Sequence, residues 1–299
     1  MITVEHLTKT YGDRRAVDDL TFTVEPGRVT GFVGPNGSGK STTMRMMVGL
    51  TRPDTGNVFY DGTPYDRLAQ PATTIGAALD ASAHPGRTAR NHLRTMCAAS
   101  GLPESRVDAV MADVGISSVA DKRVGGFSLG MRQRLALAGA LLGEPETLLL
   151  DEPANGLDPD GIRWLRSYLR DYADEGGAVL VSSHLIAELS LFADDLVVIG
   201  AGRLLAAATV DEITSQAASS VVVETPTPAE LTVLLRDQGA DVTELLAGPR
   251  LSVNGATRSQ IAQLALDHHI RLDELTDQRA SLEDLLVDLT HDAAEFTSA

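Results

Sequence analysis

The sequence predicts an α/β fold built around a mostly parallel sheet, followed by a small α+β domain. Three observations predict it. The run Gly34-Pro35-Asn36-Gly37-Ser38-Gly39-Lys40-Ser41 stands between a strand-like stretch, Arg28 to Val33, and a helix-like stretch, Ser41 to Leu50. Two apolar strand-like runs, Leu148 to Leu150 and Ala178 to Ser182, lead into Asp151-Glu152 and His184. After about Ser215 the glycine-rich motifs disappear and the texture changes. Strands that alternate with helices indicate a parallel sheet covered on both faces.

Taken in chain order, Met1 to Leu7 and Val17 to Val24 read as strands separated by a turn at Gly12-Asp13. The glycine-rich run and its helix follow, then a strand from Gly56 to Tyr60 closed by Asp61-Gly62. From Thr88 to about Val124 apolar residues recur at three- and four-residue steps (Leu93, Met96, Cys97; Val107, Val110, Met111), the period of a helix. Leu129 to Gly143 continues as helix. Beyond Ser215 the order is a strand at Val221 to Glu224 and a helix at Ala229 to Asp237. Short strands follow around Asp241 to Leu246 and Arg250 to Val253, then a helix at Thr257 to Asp267 and a strand near Arg271. This order resembles a split β-α-β unit. Leu282, Leu285, Leu286 and Leu289 then form one apolar stripe, suited to core packing or to a partner helix.

Composition narrows the class. The chain has 299 residues and is 43% hydrophobic, enough for a substantial core. No apolar stretch approaches the roughly 20 residues of a spanning helix. Met1 is not followed by a charged-then-apolar signal segment, so the expectation is a cytoplasmic chain. The single cysteine, Cys97, excludes an internal disulfide and a cysteine-based metal site and reads as a packed residue. A formal charge of −16 argues against nucleic acid or an anionic lipid surface as a partner.

The glycine-rich run fits the phosphate-binding pattern of Gly, four residues, then Gly-Lys-Ser. Small residues let the backbone curl so that N–H groups point at phosphate oxygens. Lys40 is placed to reach the β- and γ-phosphates, Ser41 to offer a hydroxyl to Mg²⁺, and the helix through Thr42 to present its N-terminus. Asp151, at the end of an apolar strand, is placed to hold Mg²⁺, and Glu152 to orient and polarise an attacking water.

With these residues the chain resembles the nucleotide-binding subunit of an ATP-binding-cassette (ABC) transporter, in the branch that serves drug, antibiotic and peptide exporters. The resemblance covers about Met1 to Leu205. Besides the phosphate loop and Asp151-Glu152, it rests on three further motifs. Phe127-Ser128-Leu129-Gly130-Met131-Arg132-Gln133-Arg134 resembles the signature loop. Asn155-Gly156-Leu157-Asp158-Pro159 resembles the loop after the catalytic carboxylate. Ser182-Ser183-His184 resembles the switch histidine. The implied fold is an α/β P-loop NTPase cassette of the ABC type with a helical subdomain, plus a small α+β C-terminal domain. The boundaries are 1–214, with the helical part at about 88–143, and 215–299.

The resemblance implies roles residue by residue. Tyr11 stacks on adenine, or is simply a turn tyrosine. Gly34, Pro35, Asn36, Gly37, Ser38, Gly39, Lys40, Ser41 and Thr42 hold the phosphates. His184 contacts the γ-phosphate and holds the water with Glu152. Ser128 and Gly130 touch the γ-phosphate bound to a second subunit, and Asp158 lies between the two sites. The implied cofactors are ATP and Mg²⁺. The implied partners are a second nucleotide-binding subunit, head-to-tail, and a separate membrane permease contacted through Asp80 to Leu93. Four positions depart from the family pattern. Leu129 and Met131 replace a glycine and a glutamine in the signature loop. Asp80 stands where a metal-sensing glutamine is usual, either binding a Mg²⁺ water or acting as a plain loop acid. Ala154 replaces a threonine or serine. Two other readings stay open: a soluble ABC-type ATPase serving another machine, and an ATP-binding regulator without turnover.

Overall fold

The computed structural model describes residues 1–216, 219–245 and 248–279. They fall into two compact units, one from Met1 to Val210 and one beginning at Asp211.

The first unit opens with the hairpin β1 (Ile2–Tyr11) and β2 (Arg14–Val24), both longer than expected. It continues through β3 (Val29–Val33), the helix Lys40–Met47, β4 (Thr55–Tyr60) and β5 (Thr63–Pro64). These strands do not all join one sheet. A four-stranded antiparallel sheet has the order β2-β1-β4-β5. Its alternation is plain, with Ile2 and Val4 buried opposite Val24 and Phe22 while Glu5 faces out.

The second sheet takes β3 together with β6 (Ile75–Ala78), β7 (Thr147–Leu150), β8 (Ala178–Ser183), β9 (Asp195–Gly200) and β10 (Arg203–Thr209). Its order is β10-β9-β3-β8-β7-β6, parallel except for β10. The parallel expectation therefore holds for this sheet and not for the N-terminal strands. Strands β3, β7 and β8 are buried along their whole length, as strands with both faces covered must be. This alignment brings the carboxyl ends of β3, β7 and β8 to one edge, where the phosphate-type loop, Asp151-Glu152 and His184 emerge.

The helical stretch expected from Thr88 to Val124 is two helices, Ala89–Ser100 and Arg106–Asp113. Thr88 caps the first by accepting the Asn91 N–H, and Gly101 ends it at φ 67, two residues before Pro103. The helix Leu129–Leu141 follows. Among the described residues no helix is long and apolar enough to cross a membrane.

The second unit contains β11 (Ser219–Glu224), the helix Pro228–Asp237, β12 (Asp241–Glu244), β13 (Arg250–Asn254), the helix Arg258–Asp267 and β14 (Glu274–Arg279). The strand expected near Arg271 begins instead at Glu274. The antiparallel order β12-β13-β11-β14 completes a β-α-β-β-α-β arrangement. Val221, Val223, Leu231, Leu235, Val253 and Ile261 fill its core. The leucine stripe at Leu282, Leu285, Leu286 and Leu289 lies outside the described residues.

Candidate functional site

The loop after β3 is shaped by residues that only fit as small ones. Gly39 has φ +110, and a Cβ there would lie 2.5 Å from the Ala16 carbonyl oxygen. The loop is held from outside: Arg14 Nη2 donates to the Gly37 carbonyl at 3.0 Å, and the Gly202 N–H donates to the Ser38 carbonyl at 2.9 Å. Lys40, at the first position of the helix Lys40–Met47, is 6% exposed. Its ammonium turns back on the loop, donating to the Gly34 carbonyl at 2.6 Å and the Pro35 carbonyl at 3.3 Å. Burial pushes Lys40 below the ordinary lysine value, and the charges of Glu152 and Asp151 oppose that shift.

Asp151 and Glu152 follow β7 directly. Glu152 adopts φ 49, a left-handed backbone that side chains other than glycine rarely take. Its carboxylate lies between the Lys40 ammonium and the His184 ring, with Oε1 3.9 Å from Lys40 Nζ and Oε2 2.9 Å from His184 Nδ1. Ser182 Oγ donates to Asp151 Oδ1 at 2.5 Å and accepts from the Glu152 N–H at 2.9 Å. Gln133 Nε2 reaches the Glu152 carbonyl at 3.5 Å.

A cavity of about 400 Å³ opens over the loop. Its walls carry Tyr11, Arg14, Asn36, Gly37, Gly39, Lys40, Ser41, Thr42 and Glu152. Tyr11 is 52% exposed, with Lys9 Nζ 5.6 Å from its ring centre. One feature suits a polyphosphate: the Lys40 ammonium has only loop carbonyls within hydrogen-bonding distance. Among the described residues no cluster of three or more His, Cys, Asp or Glu could hold a metal alone. Ser41 and Asp151 supply the hard oxygens that Mg²⁺ takes when phosphates and waters complete its shell.

The other expected residues lie elsewhere. Ser128 caps the helix Leu129–Leu141, its hydroxyl accepting the Met131 N–H at 3.2 Å. Gly130 abuts the next loop, where an added Cβ would lie 2.9 Å from the Gly156 carbonyl oxygen. Asp158 caps Pro159–Asp174 by accepting the Gly161 N–H at 2.7 Å. None of the three lines the Lys40 cavity. Asp80 also does not; it lines a separate cavity of about 260 Å³ with His92, Met96 and Arg132. Sequence reasoning missed the roles of Arg14, Gln133 and Ser182. Arg14 and Gln133 could not be found from spacing, because tertiary packing alone brings them to the site. Ser182 could not be found either, because only the parallel register that pairs Leu150 with Val181 brings it beside Asp151.

A family model described as "ABC transporter" matches residues 17–155. A domain of unknown function matches 219–283, and an AAA domain model, described as a putative AbiEii toxin of a type IV toxin–antitoxin system, overlaps at 123–190. The chain is 33% identical over 299 residues to an uncharacterized ABC transporter ATP-binding protein, YhcH, of Bacillus subtilis (strain 168), covering 99% of this chain and 97% of that one. It is 32% identical to the Nod factor export ATP-binding protein I of Paraburkholderia xenovorans (strain LB400), over 97% of this chain and 96% of the other. A solved structure described as the ATP binding subunit of an ABC transporter superposes with a TM-score of 0.65 at 27% identity, covering 72% of this chain and 92% of that one.

Proposed function

The chain belongs to the ABC transporter ATP-binding family and is an ATPase subunit, and on that premise we propose that the Lys40 cavity is one half of a hydrolytic site that drives a separate membrane permease. The observation that carries the reading is the convergence of Tyr11, the Gly34–Ser41 loop and Glu152 on one cavity, with His184 bonded to the same carboxylate.

Loop N–H groups and Lys40 hold the phosphates, while the face of Tyr11 takes the adenine. Ser41 and Asp151 would hold Mg²⁺, which would supply charge neutralisation at the phosphate oxygens. Glu152 accepts the proton of the attacking water, and His184 keeps the Glu152 carboxylate turned toward it. The rest is positioning of groups and stabilisation of charge on the transferred phosphoryl.

The half-site is completed in trans in this proposal. The capped N-terminus of Leu129–Leu141, with Ser128 and Gly130, covers the ATP of a second copy, and Asp158 lies between the two sites. A helix N-terminus with free N–H groups suits the γ-phosphate. The second unit is an accessory domain of this subunit. The direction proposed is export, supported by similarity to the Nod factor export protein along nearly the whole chain.

Tyr11→Ala is expected to weaken ATP binding roughly ten-fold while leaving the melting temperature close to wild type. Titration calorimetry checks it; unchanged affinity would mean that Tyr11 is a turn residue. The partner is tested by isolating the tagged chain from membranes of its own cell and reconstituting it with the integral membrane chain that accompanies it. The reading expects ATP-dependent movement of a solute across the vesicle wall. Full turnover confined to a soluble or ribosomal assembly would favour the non-transport ATPase.

A further inference from the structure

We infer that Ser182 is a positioning residue that fixes the metal-holding carboxylate and the general base relative to each other. The inference rests on the reading above, in which Asp151 holds Mg²⁺ and Glu152 takes the proton of water.

A hydroxyl has one proton to donate and two lone pairs to accept with. Ser182 donates that proton to Asp151 Oδ1 at 2.5 Å and accepts the backbone N–H of Glu152 at 2.9 Å. One oxygen therefore holds two consecutive residues that do different work. The first contact is charge-assisted and short, the stronger class of hydrogen bond. The second fastens a residue whose backbone is in the left-handed region, at φ 49, where a side chain other than glycine is strained. Released from this tie, the Glu152 peptide would relax and carry its carboxylate away from Lys40 and His184.

The anchor itself is rigid. Ser182 is 1% exposed and stands on β8, where it pairs with Phe32 of β3 in the parallel ladder. The neighbouring pair, Leu150 with Val181, fixes the register that delivers Ser182 beside Asp151. A buried strand hydroxyl usually satisfies a single local group. Here it spans the Asp151-Glu152 pair, so a slip of either acid is resisted from the same point.

The test compares Ser182→Ala, Ser182→Thr and Ser182→Val with wild type and Glu152→Gln. Thr and Val have nearly the same volume, and only Thr keeps the hydroxyl. Turnover of the Ala and Val variants is expected to fall roughly 10- to 100-fold, with ATP affinity within about two-fold of wild type. Thr is expected to recover at least five times the turnover of Val. Independently of turnover, amide hydrogen exchange at Glu152 in the metal-free protein should speed up in Ala and Val and stay near wild type in Thr. Turnover of Ser182→Ala within three-fold of wild type while Glu152→Gln is inactive, or Thr no better than Val, would overturn the inference and leave the site assignment standing. Wild-type turnover in Glu152→Gln would remove the assignment, and the inference with it.

Discussion

Glu152→Gln is expected to cut ATP turnover by about two orders of magnitude or more while ATP binding persists. The substitution keeps the size and hydrogen-bonding reach of the side chain, so the left-handed turn after β7 and the Ser182 tie to the Glu152 N–H survive. It removes the charge that accepts a proton from water. It also removes a carboxylate whose Oε1 lies 3.9 Å from Lys40 Nζ and competes with phosphate for the ammonium. The variant is therefore expected to hold ATP at least as tightly as wild type. Steady-state turnover and nucleotide titration together check both halves. Wild-type turnover would take Glu152 out of the catalytic role.

Lys40→Ala acts on the other side of the same contact. Its ammonium is nearly buried, and its partners are the Gly34 and Pro35 carbonyls and, farther off, Glu152. Burial already disfavours the charged form, so a polyphosphate placed in the cavity relieves a local cost as well as adding charge-assisted hydrogen bonds. Removing the ammonium is expected to weaken ATP binding by roughly two orders of magnitude. The fold should hold, because the helix Lys40–Met47 is anchored by Thr43, Met44, Met46 and Met47, all buried. Calorimetric titration reads the affinity, and the melting temperature guards against unfolding. Unchanged affinity would mean that the loop after β3 is not the phosphate site.

The parts of the molecule that were legible in the sequence are those whose chemistry is local. The phosphate-type loop needs glycine at positions of unusual φ or close approach, and Gly39 at φ +110 shows why no other residue serves. Strands β7 and β8 announce themselves because both faces are covered, leaving apolar runs at Leu148 to Leu150, directly before Asp151, and at Ala178 to Val181, two serines before His184. Strand β6 was hidden for the opposite reason. It reads Ile75-Gly76-Ala77-Ala78, and after Ile75 its residues are small and of low strand preference, because the helix Leu129–Leu141 presses on it. A Cβ on Gly76 would lie 2.2 Å from the Ala140 carbonyl oxygen. Strand β9 was passed over although Leu196 to Ile199 is a continuous buried run.

The site was legible in its acids and its lysine and illegible in their supports. That Ser182 would bridge Asp151 and Glu152 depends on the register of two strands, and that Arg14 would brace Gly37 depends on how the first hairpin lies over the loop. Trp164 packs between the two helices, with the Arg134 guanidinium 4.2 Å from its ring centre and Tyr168 beside it. Arg134 thereby ties the helix Leu129–Leu141 to the helix Pro159–Asp174, the two elements that Ser128 and Asp158 cap.

The central claim is that each chain carries half a site and that ATP closes two halves together. The measurement that tests it most directly is the mass of Glu152→Gln in solution with and without saturating ATP. The account predicts a monomer without nucleotide and a dimer with it, a dimer lost again when Ser128 is replaced by a bulky or charged residue. A monomer that binds ATP fully and never doubles its mass would contradict the shared site.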